Sequence, residues 1–196
     1  MFGLSDEERA GRAGGGGAAR TMDRSRPVEE HLFGLTYLIL VVALLEALHA
    51  ILDLPLIIDR PNLLFGPWAV MPATLTGIIL AKARVVLHPL LALAALTLCL
   101  SGNLRGALVA LGAIWVMTWL SFLPWVLHDG LPIQGWWALQ WTVAQLFVFP
   151  VLAAAAIALA VLSSRHRLAA ILIAIPTAYA AFGTAMFIVK AVVANR

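Results

Sequence analysis

Apolar runs follow one another along the chain, each near the ~20 residues that carry a helix across the hydrocarbon core of a bilayer. They occupy roughly residues 27–54, 62–81, 85–101, 106–127, 137–162 and 168–192. Charged residues are 12% of the chain, where a soluble domain carries about 25%, so the surrounding solvent is read as lipid. Backbone amides in hydrocarbon must pair within their own segment, and the alternation of a barrel is absent. The expected fold is all-α, a polytopic transmembrane bundle of six spans.

Local signals set the boundaries. Pro27 suits the first turn of a helix, Glu29 and Glu30 complement its dipole, and Pro55 predicts its end at Leu54. The second run is broken by Gly66, Pro67, Pro72 and Gly77, and Lys82 and Arg84 mark a loop before the third. Prolines also fall near the end of the fourth run (Pro124), midway along the fifth (Pro150) and inside the sixth (Pro176). Residues 1–26 read as a polar, flexible cytoplasmic tail, and residues 27–196 as the membrane domain. In the tail, Ser5 and Glu8 fit a capping box and Gly14 to Gly17 a linker. An alternative reading of residues 1–12 is a docking helix for partner membrane subunits. No secretory signal is expected, because the first apolar run begins after about thirty residues and is too long for a signal core.

Charge distribution bears on orientation. With six spans and the N-terminus inside, nine Lys and Arg fall on the inner side and four on the outer, which favours a cytoplasmic N-terminus. Arg165 and Arg167 on the outer side conflict with that assignment. A second run that re-enters instead of crossing, leaving five spans, moves Arg105 and Arg165 inside. An inverted three-plus-three repeat is a further reading, with Leu48-His49 matching Leu127-His128, Leu54-Pro55 matching Leu131-Pro132, Pro72 matching Pro150, and Arg84 matching Arg165. Such repeats are frequent in transporters, with the site at the repeat interface. Eleven Arg against two Lys, with abundant Ala and Gly, point to a bacterial cytoplasmic membrane.

Several chemistries are excluded or left without support. The single cysteine, Cys99, forms no disulfide framework. No basic stripe with interleaved aromatics lies outside the spans, so nucleic acid is not an expected partner. Phosphate loops, nucleophile elbows and HExxH are absent, and an enzyme is the less favoured reading.

The informative residues are the polar ones inside the spans. Glu46, His49 and Asp53 are separated by three and four residues, which places them on one narrow helix face. An ionisable group at that depth costs about 2.5–3.5 kcal/mol if it faces lipid, so the face is expected to line a polar interior near the outer end of the first span. It could hold a cation or proton, ligate a metal or haem, or form a mutually satisfied interhelical cluster. Trp115 and Trp119 lie four apart in the fourth run, Trp137 and Trp141 repeat the spacing in the fifth, and Gln140 and Gln145 follow. Together they allow an aromatic, amide-lined cavity for a small organic solute. Ala170, Ala174 and Ala178, and Ala156 and Ala160, have the spacing of close helix packing.

A di-iron site would need further carboxylates, and beyond Arg60 the sequence holds only Asp129. A haem b clamp has three candidate ligands, His49, His88 and His128. With six spans His88 and His128 share the inner end. With a re-entrant second span His49 and His128 share a level. The expected function is binding or movement of a small solute or cation, proton-linked in one version, by the residues Glu46, His49, Asp53, Trp115, Trp119 and Gln145. The alternatives are a membrane anchor of a redox complex with haem or a quinone pocket, and a structural or assembly subunit.

Overall fold

A computed structural model describes residues 26–59, 75–130, 136–162 and 165–194. The chain divides into two compact units, Met1–Leu35 and Thr36–Arg196. Of the first, only residues 26–35, the opening turns of a helix, are described. All the interactions reported below lie within the second.

All regular structure among the described residues is helical. α1 is Arg26–Asp59, α2 Leu75–Leu100, α3 Leu104–Asp129, α4 Trp136–Val143, α5 Phe149–Leu162 and α6 His166–Ala194. A π turn, Ala144–Val148, joins α4 to α5. Five helical segments are long and apolar enough to cross a membrane: Phe33–Leu52, Leu75–Leu100, Leu104–His128, Leu139–Leu162 and His166–Met186. The chain is thus a multi-pass integral membrane protein, and five crossing segments, not six, are seen among the described residues.

The differences from the expected boundaries have local causes. The loop expected at Lys82 and Arg84 is helix, and α2 joins the end of the expected second span to the whole of the third. Charge suggested a break there, but Ala81-Lys82-Ala83-Arg84 are all strong helix formers and no Gly, Asn or Pro lies among them to stop the helix. Gly66, Pro67 and Pro72 lie outside the described residues, as do residues 1–25 and the Leu131-Pro132 landmark. α1 also continues past Pro55 to Asp59. A proline deletes one hydrogen bond to the preceding turn and can kink a helix without ending it. The repeat loses a landmark, because Arg84 lies within α2 whereas Arg165 lies in a connection.

α3 is the central helix, packed against α2, α5 and α6. It buries Ala107, Leu108, Ala110, Leu111, Ile114, Trp115 and Thr118. The turn from α2 to α3 uses Gly102 at φ +80°, a left-handed conformation that glycine adopts without penalty. Asn103 then caps α3, its side-chain oxygen accepting from the Gly106 N–H at 2.9 Å. Arg105 at the start of α3 donates to the Val161 carbonyl at 3.0 Å and so closes the C-terminal end of α5.

The face that α1 buries is Ile39, Val42, Ala43, Glu46 and Ala50, one stripe at helical spacing. Its direction relative to α2 follows from two contacts. Cys99 Sγ reaches the Thr36 carbonyl at 3.8 Å, and His88 meets Glu46 at 3.2 Å. Residue numbers rise on α1 as they fall on α2, so the two helices are antiparallel.

Candidate functional site

Glu46 is where α1, α2 and α6 meet. Thr177 Oγ1, on α6, donates to Glu46 Oε1 at 2.5 Å. His88 Nε2, on α2, lies 3.2 Å from Oε2. Trp115 Nε1, on α3, donates to Thr177 Oγ1 at 3.2 Å. An indole N–H can only donate. It therefore fixes the Thr177 hydroxyl as acceptor on one side and donor to the carboxylate on the other. Four helices are joined through one carboxylate. Glu46, His88, Trp115 and Thr177 are all buried, and among the described residues no buried side-chain polar atom lacks a partner.

Both partners of Glu46 stand beside a helix proline. His88 precedes Pro89 in α2, and Thr177 follows Pro176 in α6. Each proline removes a backbone hydrogen bond and is a usual place for a helix to bend.

A second tier lies one turn or more away. His49 Nε2 is 3.0 Å from Thr184 Oγ1. Thr184 is seven residues beyond Thr177, about 10 Å along α6 at 1.5 Å per residue. Because α1 and α2 are antiparallel, Arg84 lies on the same side of His88 as His49 does of Glu46. His49, Arg84 and Thr184 are half-buried. Between the two tiers is a cavity of about 420 Å³. From α1 and α2 it is lined by Glu46, His49, Arg84 and His88. From α3 it receives Ile114, Trp115 and Thr118, and from α6 Ala180, Gly183 and Thr184.

The remaining wall is Trp141 and Gln145. Gln145 lies in the π turn, which forms immediately before Pro150. That proline has no N–H to give to the Leu146 carbonyl, and its ring crowds the same carbonyl. The ladder slips by one residue, with Phe149 N–H bonding the Ala144 carbonyl. Single π turns of this kind recur at functional sites. The indole of Trp141 stacks on Tyr179, with ring centroids 5.0 Å apart, and Phe149 meets Trp115 edge-on at 5.3 Å. Stacked and edge-to-face ring pairs hold their geometry, so the aromatic wall is built as firmly as the polar floor.

Of the residues singled out from the sequence, the structure brings Glu46, His49, Trp115 and Gln145 to one cavity. Trp119 is half-buried and is not part of the lining. Asp53 lies in α1, but its side chain is outside the described residues. His88 and His128 do not share a level. His88 reaches the layer of Trp115, and His128 lies thirteen residues further along α3, about 20 Å away along the axis, where it is exposed. Among the described residues no group of three or more His, Cys, Asp and Glu is placed to hold a metal ion.

Sequence reasoning missed Thr177, Thr184, Tyr179 and the cavity position of Arg84. A usable signal existed for Thr177, a polar residue beside a helix proline in an apolar span. Comparison of the chain with protein-family models, with curated proteins and with solved structures finds no match.

Proposed function

We propose that the protein binds or moves a small organic solute through this interior cavity, with the Glu46–His88 pair as an element that holds a proton. The observation that carries the reading is the cavity itself. A void of about 420 Å³ lies in the usual range for small-molecule sites, ~300–1,000 Å³. It has an aromatic wall on one side and ionisable groups on the other. Ionisable side chains inside a membrane bundle are expensive, and they commonly mark solute or proton paths.

The carboxylate is better suited to a proton than to a bare cation. Each Glu46 oxygen already has a protein partner, Thr177 on one and His88 on the other.

The test is mass spectrometry of the small molecules that copurify with the protein in lipid nanodiscs. Wild type is compared with Ala180→Trp, which fills the cavity, after a thermal melt shows both are folded. A compound retained by the wild type and missing from the variant is the expected result. Retention that varies with pH in the wild type should become flat in Glu46→Gln. Identical extracts from wild type and Ala180→Trp would refute the proposal.

A further inference from the structure

We infer that the solute is a flat ring carrying an amide edge, a carbonyl with an N–H beside it, and that Gln145 receives that edge. The inference rests on the solute-binding reading above and names the chemical class of its ligand.

The polar groups of the lining divide into engaged and open. Glu46 holds His88 and Thr177, His49 meets Thr184, and Thr118 donates to the Ile114 carbonyl at 2.9 Å. Arg84 also has a partner. The two lining tryptophans differ. Trp115 donates its indole N–H to Thr177 at 3.2 Å. Trp141 makes ring contacts with Tyr179 and Phe149, and its N–H has no hydrogen-bond partner among the described residues. The side-chain amide of Gln145 also has none among the described residues. No fully buried side-chain polar atom lacks a partner among those residues, so the open atoms of Trp141 and Gln145 keep accessible surface. Both residues are half-buried and line the cavity.

A glutamine amide offers an acceptor oxygen and two N–H donors, and an indole N–H only donates. Within a membrane bundle a polar group left without a partner costs free energy. A guest with a carbonyl alone would satisfy donors and leave the Gln145 oxygen open. A guest with a carbonyl and a neighbouring N–H satisfies Gln145 in both directions. The ring that carries this edge has a place beside it. Gln145 follows Trp141 by four residues, so the two lie on one side of their helix. From α6 the lining receives the small residues Ala180 and Gly183. A Cβ built on Gly183 would stand 3.5 Å from Cζ3 of Trp141, so any side chain at that position would take the space beside the indole. Glycine leaves that space to the guest.

The experiment uses the full chain in nanodiscs and two uncharged probes of nearly equal shape, benzamide and acetophenone. Both have the carbonyl, and only benzamide has the N–H. Neither carries charge, so the charge state of the lining does not decide between them. Affinities are read by saturation-transfer NMR and corrected with empty nanodiscs. Benzamide should bind roughly tenfold more tightly than acetophenone, equivalent to about 1.4 kcal/mol. Gln145→Met keeps the length of the side chain without its hydrogen bonds, and should bring the two affinities together. Should that variant fail to fold, wild-type protein with isotope-labelled glutamine carbonyls decides the matter. Benzamide must then shift a glutamine side-chain carbonyl signal that acetophenone leaves in place. A preference for benzamide that persists in Gln145→Met, or the absence of any such shift, would overturn the assignment to Gln145. Equal binding of the two probes, with both lost in Ala180→Trp, would overturn the amide edge and leave the solute site standing. Signals from both probes that are unchanged in Ala180→Trp would overturn both readings.

Discussion

Two junctions hold the bundle together by different means. Where α3 crosses α5 the contact is dry and made of small residues. A Cβ placed on Gly112 would come within 2.5 Å of Ile157 Cγ1 and 3.4 Å of the Ala153 carbonyl oxygen. Ala153, Ala156 and Ala160 are buried along α5. Where α1 meets α2 and α6, the contact is a carboxylate, an imidazole and a hydroxyl beside a cavity. In lipid no hydrophobic force drives helices together, so association rests on close packing and interhelical hydrogen bonds. The first junction uses the former and the second uses the latter. Close packing tolerates no added atoms, and a polar junction tolerates no lost partners.

The sharpest way to break this contrast is at Gly112. Gly112→Leu adds a side chain where not even a Cβ fits, and should destabilise the protein by about 3 kcal/mol, the upper part of the range for overpacking. The measurement is thermal unfolding in detergent. A variant as stable as the wild type would show that the α3–α5 contact is looser than its geometry. Next in size is Glu46→Ala. It takes one hydrogen bond from His88 and one from Thr177, and should cost about 2 kcal/mol. The companion Glu46→Met/His88→Leu pair removes the carboxylate and the imidazole together but still leaves Thr177 without its acceptor, and should recover about half of that loss. A double variant no more stable than Glu46→Ala would mean the junction depends on more than mutual satisfaction.

These contrasts were unequally legible in the sequence. Lipid as solvent, the helical class and the starts of most helices follow from apolar runs and from Pro27, because span length and dipole chemistry act locally. The loop at Lys82 and Arg84 did not follow, because charge alone stops no helix, and in the fold Arg84 lies within α2 and lines a cavity. At the site, Glu46 and His49 were legible because three-residue spacing puts them on one face of one helix. Their partners were not. Thr177 is 131 positions away from Glu46 and Thr184 is 135 from His49, and no periodicity within a helix encodes which other helix it will touch. Trp119 shows the converse failure, since sharing a side with Trp115 at four-residue spacing did not bring it to the cavity.

The smallest expected effect tests the small-residue reading within α6. Ala170, Ala174 and Ala178 recur at packing intervals, yet only Ala170 is buried and Ala178 is exposed. The face that α6 buries is instead Ala169, Ala170, Ile173, Pro176 and Thr177. Four-residue spacing drifts by about 40° per step on a helix of 3.6 residues per turn, so over two steps the stripe leaves the interface. Ala178→Leu should therefore change stability by less than about 0.5 kcal/mol, as for a substitution away from any packed contact. Ala156→Leu on α5, at a buried position, should cost about 1–3 kcal/mol. Unfolding midpoints of the two variants, measured side by side, separate spacing from burial as the determinant. Equal losses in both would mean that Ala178 also meets a partner, and that the exposed side of α6 is part of a larger assembly.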